Sequence, residues 1–332
     1  MPGVENFSMS ALFEIEESQL KPLTVCGSPV LVQKALESAH EEVKSNSQIF
    51  APGRAPKVKI EGKGAASMGA KAIENGHSTI FYEQEGNQDG PAILGIHGLG
   101  GTTNFFQPIV SSFRDYNVVR FDLSGHGRSV QDANTRTSMA TYVEDAEAII
   151  RRFGLKDVTV LGHSLGGLIA LHLAAKLPET VTRLVLYGPV KPPPEAGQNG
   201  LRARAKTVRD SGMVAVADTV IGASLSPTTL KTRPELVGFA RELLSRQQPE
   251  GYALACEALA ESTEPDWSRI TAKVVIVGGS DDKVSSPATV ESVASNFTST
   301  KREVISFEDA GHWHTLENPT GCIQAIEKVF KL

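Results

Sequence analysis

Short apolar runs alternate with segments of helical periodicity from about residue 70 to the end of the chain. The run at residues 92–96 is continuously apolar, as expected of a strand inside a parallel sheet. Helical patterns lie on either side of the apolar run at residues 158–161, at about residues 138–153 and 165–177. This alternation predicts an α/β fold with a mostly parallel sheet flanked by helices. The predicted strands are residues 92–96, 118–121, 158–161, 183–187, 273–277 and 302–307.

A hairpin is predicted just before the first of these strands. Residues 71–82 read as two strands around Asn75-Gly76. The Asn-Gly pair suits the two-residue turns of hairpins because both positions tolerate a positive φ.

The strand–helix alternation is interrupted between residues 191 and 267. Three prolines, Pro192 to Pro194, and a Gly-containing turn break the pattern, and helical segments follow until about Trp267. We interpret residues 191–267 as an inserted helical cap that covers a pocket at the carboxyl edge of the sheet. The core domain then comprises residues 56–190 and 268–332. Four basic residues of the insertion, Arg202, Arg204, Lys206 and Arg209, are interpreted as a solvated helix face rather than an anion-steering patch.

Residues 1–55 form an N-terminal extension with one predicted amphipathic helix. Ser28-Pro29 is typical of a helix start, and apolar residues recur at helical spacing as far as about Ser45. The apolar face must cover either the body of this subunit or a neighbouring copy, and the second arrangement would give a homo-oligomer. Residues 51–56 have the composition of a linker.

Composition narrows the classes of protein and partner. The 332 residues are 40% hydrophobic and 21% charged, with a formal net charge of −5, which gives no electrostatic reason to expect nucleic acid or an anionic membrane as a partner. No run approaches the ~20 apolar residues of a membrane span, and the N-terminus lacks the pattern of a signal peptide. The three cysteines lack metal-ligand spacing and are interpreted as reduced thiols. We therefore expect a cytoplasmic protein.

The strongest chemical signal lies at the end of the third predicted strand. The apolar run from Val158 ends in Gly162-His163-Ser164-Leu165-Gly166, and strong helix formers continue to Pro178. Strand, Gly-x-Ser-x-Gly and helix together predict a nucleophile elbow, in which a strained turn presents the Ser164 hydroxyl above the sheet.

A serine hydroxyl is a weak nucleophile without an imidazole base, and the base needs an acid to fix its tautomer. The loop after the strand at 273–277 offers Asp281 and Asp282, and the loop after the last strand offers His312 and His314. Nucleophile, acid and histidine therefore follow one another along the chain, and each loop lies at the sheet edge that carries Ser164.

Two further loops at this edge are rich in glycine. The loop His97 to Gly101 is expected to bring backbone N–H groups close to a ligand, as an acyl-transfer site requires for its oxyanion. We interpret the His97 side chain itself as structural. The loop at residues 122–129 lacks the Lys-Ser/Thr ending of a phosphate-binding loop and is interpreted as a turn network.

From about residue 70 to its end, the chain resembles the α/β-hydrolase family of serine hydrolases. The resemblance implies an α/β-hydrolase fold with nucleophile, acid and base in the order Ser, Asp, His. The matching motifs are His97-Gly98, Asp122-x-x-Gly125-x-Gly127-x-Ser129, Gly162-x-Ser164-x-Gly166, Gly279-x-x-Asp282 and Gly311-His312.

The resemblance assigns roles to particular residues. Ser164 is the nucleophile. Asp282 is preferred to Asp281 as the acid because the family has a Val or Ile two residues after it, here Val284. His312 is preferred to His314 as the base because it directly follows a glycine. The oxyanion hole falls on the N–H groups of two leucines, Leu99 and Leu165.

Within the family, residues 208–213 and 249–253 resemble those of 3-oxoadipate enol-lactonases, whereas residues 1–55 have no counterpart there. The resemblance implies a hydrolase that cleaves a small-molecule ester or lactone and uses neither metal nor organic cofactor. Three alternatives remain open: a general carboxylesterase, a C–C bond hydrolase of ring-cleavage products, and a ligand receptor that keeps the hydrolase pocket.

Overall fold

A computed structural model describes residues 71–332 except residues 133–135 and 299. The predicted N-terminal extension and its amphipathic helix lie outside the described residues, so both stay predictions.

The described residues contain one mixed sheet of nine strands, in the order β1-β2-β4-β3-β6-β7-β8-β9, with β5 paired to β2. The strands from β3 onward in this path are parallel to their neighbours, whereas β1, β2 and β5 pair antiparallel. The strands are β1 (Ala72–Glu74), β2 (Ser78–Gly86), β3 (Ala92–Ile96), β4 (Asn117–Phe121), β5 (Val130–Gln131), β6 (Val158–His163), β7 (Val181–Tyr187), β8 (Lys273–Gly279) and β9 (Arg302–Phe307).

Helices flank this sheet, and a run of five of them separates β7 from β8. We call this run, α4 to α8, the insertion. The helices are α1 (Gln107–Val110), α2 (Met139–Phe153), α3 (Leu165–Lys176), α4 (Glu195–Ser211), α5 (Val214–Ser224), α6 (Pro227–Thr232), α7 (Pro234–Ser245), α8 (Pro249–Ala260), α9 (Pro287–Ala294), α10 (His314–Glu317) and α11 (Pro319–Val329).

The central strands of the sheet are buried on both faces, which explains why β3 reads as a continuous apolar run. Every residue of β3, β4 and β6 is buried. Helix α2 contributes one apolar face to the core. Its N-cap is Ser138, whose side chain accepts a hydrogen bond from the Thr141 N–H, and its C-cap is Gly154, whose backbone is in the left-handed region.

The predicted fold class is confirmed, and the hairpin around Asn75-Gly76 is present as β1 and β2. The differences are that β2 continues to Gly86 and that β5 and the helices after β8, α9 to α11, are not predicted from the sequence. A strand of two residues carries no period that a pattern could reveal. In the described part of the chain, no helix has the length and apolar character needed to cross a membrane.

A buried carboxylate joins the hairpin to the body. Asp145 on α2 accepts hydrogen bonds from Asn75 Nδ2 at 3.0 Å, His77 Nε2 at 2.9 Å and Ser78 Oγ at 3.2 Å. The Ser124 hydroxyl, in the loop after β4, donates to its second oxygen. Burial raises the pKa of Asp145, while the Ser124 and Asn75 hydrogen bonds oppose that rise. This carboxylate therefore connects three segments that are distant in sequence.

Candidate active site

Ser164 occupies the tight turn between β6 and α3. Its backbone is in a strained region, with φ 53° and ψ −119°, and its N–H donates to the Tyr187 carbonyl on β7 at 3.0 Å. The serine is buried but lines a cavity at the carboxyl edge of the sheet. This is the geometry that the Gly-x-Ser-x-Gly pattern predicts for an elbow.

Asp282 and His312 form a buried pair beside Ser164. His312 Nδ1 donates to Asp282 Oδ2 at 2.8 Å, and the other carboxylate oxygen accepts the N–H groups of Val284 at 2.8 Å and Ser285 at 2.7 Å. Burial favours a higher pKa for Asp282, but the His312 charge and hydrogen bond outweigh it, and the pKa lies below its usual value. The carboxylate is thus held ionised, and it fixes the imidazole with Nε2 as the unprotonated nitrogen.

The neighbouring alternatives occupy different positions. Asp281 makes no hydrogen bond to a histidine in the described residues. His314 is fully buried, and its Nε2 lies 3.9 Å from Asp282 Oδ2, beyond hydrogen-bond distance. Burial lowers the pKa of His314 to about 4, so this ring stays neutral at physiological pH.

Ser164 and His312 line the same cavity, but the described residues include no hydrogen bond between the serine hydroxyl and the imidazole. Such a contact is often long without substrate and shortens in the complex. The structure therefore brings the candidate acid and base, Asp282 and His312, into direct contact and brings Ser164 to the same cavity.

The His97–Gly101 loop passes directly over the elbow. A Cβ atom placed on Gly98 would lie 2.8 Å from the Ser164 Cβ and 2.7 Å from His163 Nδ1, so only glycine fits there. The backbone N–H groups of Leu99 and Leu165 donate to no protein acceptor in the described residues. Two unpaired N–H groups beside the serine are the donors that an oxyanion hole requires.

The side chain of His97 hydrogen-bonds to backbone groups of the two loops at this edge of the sheet. Its Nδ1 donates to the Gly98 carbonyl at 2.8 Å, and its Nε2 accepts the Leu123 N–H at 2.9 Å. Burial lowers the pKa of His97 to about 4. Asp122 similarly accepts the N–H groups of Thr103 at 2.7 Å and Arg128 at 2.9 Å. These contacts confirm the structural interpretation of the His97 side chain and of the loop at residues 122–129.

The cavity above Ser164 has a volume of about 630 Å³ and lies between the core loops and the insertion. Among the described residues, its lining contains two cationic side chains, Lys191 and Arg204, and no Asp or Glu. Lys191 Nζ lies 3.4 Å from Glu264 and donates to Ser292 Oγ at 3.0 Å. Arg204 has no carboxylate partner within ion-pair distance among the described residues. It lies near the Tyr252 hydroxyl, whose pKa is raised to about 12 by burial although Arg204 opposes the rise.

The other basic residues of α4 face away from this cavity. Arg209 pairs with Glu250 and Glu257, and Lys206 Nζ lies 2.5 Å from Asp210. Arg202 is exposed. The solvated interpretation therefore describes these three residues, whereas it is wrong for Arg204, which is partly buried against the cavity.

His163 is a site residue that sequence reasoning did not single out. Its Nε2 donates to the His312 main-chain carbonyl at 2.8 Å, and its ring stacks on Phe105 with centroids 4.0 Å apart. Burial, followed by repulsion from His312 and His314, keeps its pKa well below the usual value. The variable position before the nucleophile gave no signal, because the pattern specifies only the glycines and the serine.

A family model described as the alpha/beta hydrolase family matches residues 93–325. The chain belongs to this family. It is therefore a hydrolase, as the resemblance of its motifs indicates.

Two curated relatives cover nearly the same part of the chain. The chain is 29% identical over 259 residues to 3-oxoadipate enol-lactonase 2 of Acinetobacter baylyi, which covers 76% of this chain and 93% of that protein. It is 28% identical over 256 residues to 3-oxoadipate enol-lactonase 1 of the same organism, with the same coverages, 76% and 93%.

Solved structures show the same fold. The enol-lactonase from Burkholderia xenovorans LB400 has a TM-score of 0.70 and 22% identity, covering 77% of this chain and 97% of that one. An esterase from Thermogutta terrifontis has a TM-score of 0.70 and 24% identity, covering 76% and 93%. The fold is therefore shared by lactone-cleaving and ester-cleaving proteins.

Proposed function

We propose that this hydrolase cleaves a lactone through a covalent acyl-enzyme, with Ser164 as nucleophile, His312 as base and Asp282 as the acid that orients it. The observation that carries the proposal is the buried His312–Asp282 hydrogen bond of 2.8 Å beside a strained serine that lines the same cavity.

In acylation, Ser164 Oγ bonds to the lactone carbonyl carbon while its proton moves to His312 Nε2. The carbonyl oxygen becomes an oxyanion, which the N–H groups of Leu99 and Leu165 stabilise. The ring C–O bond then breaks, and His312 returns the proton to the leaving oxygen. Because the ester was cyclic, the leaving hydroxyl stays attached to the acyl group.

In deacylation, His312 Nε2 takes a proton from water as the water oxygen bonds to the acyl carbon. The same two N–H groups hold the second oxyanion. The bond to Ser164 Oγ breaks, the proton returns to the serine, and the ring-opened acid leaves. Every proton that His312 accepts is therefore returned within the cycle.

Two features favour a lactone over an acyclic ester. The curated relatives reported above are enol-lactonases that align over most of their length. In addition, the insertion covers the cavity, and a compact ring loses less conformational freedom on entering such a space than a flexible ester does. A consistent preference for acyclic esters would instead support a general carboxylesterase.

Charge in the cavity favours a substrate that carries a carboxylate. Within the described part of the chain, Arg204 presents a cationic group without an acidic partner, and no Asp or Glu lines the cavity to repel an anion. A substrate carboxylate would gain a charge-assisted hydrogen bond from Arg204, and the Tyr252 hydroxyl lies beside it.

The first test compares kcat/KM for lactones and acyclic esters of matched size, with Ser164→Ala as the control for the chemistry. Lactones should be preferred, and Ser164→Ala should lower kcat on the order of 10⁴-fold while remaining folded. Retention of a tenth of the activity in Ser164→Ala would contradict the assigned nucleophile.

The second test compares Arg204→Met with Arg202→Met, its exposed neighbour on the same helix. Loss of a charge-assisted hydrogen bond of about 1.5–3 kcal/mol should raise KM for a carboxylate-bearing lactone about 10- to 100-fold in Arg204→Met. A neutral lactone should be unaffected, and Arg202→Met should resemble the wild type with both. Equal effects on both lactones would refute a carboxylate contact at Arg204.

A further inference from the structure

One side chain of the insertion contacts both glycine-rich loops of the sheet edge. Gln247 lies in the turn between α7 and α8 and is buried, with 4% of its surface exposed. Its Nε2 donates to the Leu243 carbonyl at 2.9 Å and to the Gly100 and Gly101 carbonyls, each at 3.2 Å. Its Oε1 accepts the Gly127 N–H at 3.0 Å.

These partners fix the orientation of the amide. Three carbonyl oxygens surround one end, which must therefore be the NH₂ group, and an N–H faces the other end, which must be the oxygen. A rotated amide would place its oxygen against three carbonyls. All the polar atoms of this buried side chain are thus used, and they connect the insertion to the loops after β3 and β4.

The contact with Gly100 leads to the candidate oxyanion hole through two peptide planes. The Gly100 carbonyl belongs to the peptide whose opposite end is the Gly101 N–H, and that N–H donates to the Gly98 carbonyl at 3.0 Å. The Gly98 carbonyl belongs to the peptide whose opposite end is the Leu99 N–H. In a planar trans peptide the two ends point in opposite directions, so fixing the carbonyl fixes the N–H.

We propose that Gln247 is a positioning residue for the oxyanion hole, acting through the Gly100–Gly101 and Gly98–Leu99 peptides on the Leu99 N–H. The proposal rests on the function proposed above. Because Gln247 belongs to the insertion, the seated insertion is part of what keeps this N–H aimed at the cavity. His97 Nδ1, which also donates to the Gly98 carbonyl, supports the same peptide from the core.

The test is Gln247→Met, which keeps the length of the side chain and removes its hydrogen bonds. Complete loss of an oxyanion donor costs about 10²–10³-fold in kcat, and a misplaced donor costs less, so we expect kcat to fall about 10- to 100-fold. KM should change less than about threefold because the uncharged carbonyl of the bound substrate depends less on the donor. The inhibition constant of a boronic acid, whose tetrahedral adduct mimics the oxyanion, should rise by the same factor as kcat falls.

Three controls separate positioning from general destabilisation. Rates are expressed per site labelled by a fluorophosphonate at Ser164, so that unfolded protein does not contribute. Arg246→Met changes the adjacent residue, which is exposed and, among the described residues, forms an ion pair only with Glu242, so this variant should behave as the wild type. Gln247→Leu provides a second apolar replacement of different shape, and it should show the same split between kcat and KM.

A kcat per labelled site within twofold of the wild type in either Gln247 variant would overturn the proposal. The proposal would also be overturned if kcat fell and KM rose by the same factor while the inhibition constant of the boronic acid stayed unchanged. If the wild type neither hydrolyses esters or lactones nor reacts with the fluorophosphonate, the proposed function fails instead, so the two failures are distinguishable.

Discussion

Replacing Asp282 by Asn should invert the hydrogen bonding of His312 without disturbing the fold. Asp282 Oδ1 accepts two backbone N–H groups, from Val284 and Ser285, so the amide oxygen of an asparagine must occupy that position. The NH₂ group of the asparagine then faces His312 Nδ1 in place of Oδ2. As a donor it can pair only with an unprotonated Nδ1, which places the proton on Nε2, the nitrogen that must accept the serine proton.

The magnitude follows from the loss of the productive tautomer. An Asp-to-Asn substitution in the Ser-His-Asp triad of a serine protease lowers kcat about 10⁴-fold. We expect a decrease of about 10³–10⁴-fold in Asp282→Asn, equivalent to about 4–5.5 kcal/mol of lost transition-state stabilisation at 1.36 kcal/mol per tenfold. KM should change little, because Asp282 does not line the cavity.

The assay is steady-state hydrolysis of an activated ester and a lactone, together with thermal unfolding of each variant. Asp281→Asn is the matched control, since it neutralises the preceding aspartate without removing a hydrogen bond to histidine. Near-wild-type turnover by Asp282→Asn, or a larger loss in Asp281→Asn, would refute the assignment of the acid.

Two other substitutions test the packing behind the site. Gly188 has φ 51°, and an added Cβ would lie 3.0 Å from Asp282 Oδ2 and His312 Nδ1, so Gly188→Ala should lower kcat at least ~10-fold and stability by about 1–2 kcal/mol. Gly154 also has a positive φ, 59°, but an added Cβ would meet no atom within 4 Å, so Gly154→Ala should lower stability without lowering kcat. Equal losses of kcat in Gly154→Ala and Gly188→Ala would contradict this reasoning. The pKa of Asp145 is higher in the folded protein than in the unfolded chain. Asp145 therefore contributes its full stabilisation at a pH below the pKa of the unfolded chain, and this contribution declines as the pH rises through the pKa of the folded protein. Asp145→Asn places an amide NH₂ group where one carboxylate oxygen now accepts hydrogen bonds, so at least one buried donor must turn away or reverse its role. The substitution should reduce the free energy of unfolding by about 1–3 kcal/mol and should abolish the decline with pH, as measured by denaturant titrations from pH 4 to 8.

The elbow could be predicted from sequence because its chemistry depends on local backbone geometry. Gly162 and Gly166 lie within two residues of Ser164, and each would bring a Cβ to within 2.7 Å or less of neighbouring backbone atoms. The meeting of a candidate acid and base at this edge was predictable for a related reason: parallel strands deliver their following loops to one edge, so the order of loops in the chain limits which side chains can meet. The preference for Asp282 and His312 over their neighbours came from the family resemblance.

The cavity wall could not be predicted in the same way. Arg202 and Arg204 are two residues apart on α4, which places them about 200° apart around the helix, so adjacent basic residues face opposite environments. Because the basic residues lie close together in the sequence, the sequence alone did not distinguish the environment of Arg204 from that of Arg202. Gln247 has no motif around it, and its importance depends on which loops the turn between α7 and α8 reaches in three dimensions.

The insertion is hydrogen-bonded to the core at two places, and this bears on how substrate enters the cavity. One place is Gln247, and at the other, at the end of α5, the Ser224 carbonyl accepts the His312 N–H. Glu317 accepts the Ser226 N–H at 2.8 Å and the Gly311 N–H at 2.9 Å. Lifting the whole insertion would break the His312–Ser224 and Ser226–Glu317 hydrogen bonds together with those that Gln247 makes to the core, and each hydrogen bond exchanged for water would cost about 0.5–1.5 kcal/mol. Substrate entry that leaves both attachments in place, along the edge of the cavity lined by residues 191–194, therefore requires less free energy than movement of the insertion as a rigid lid.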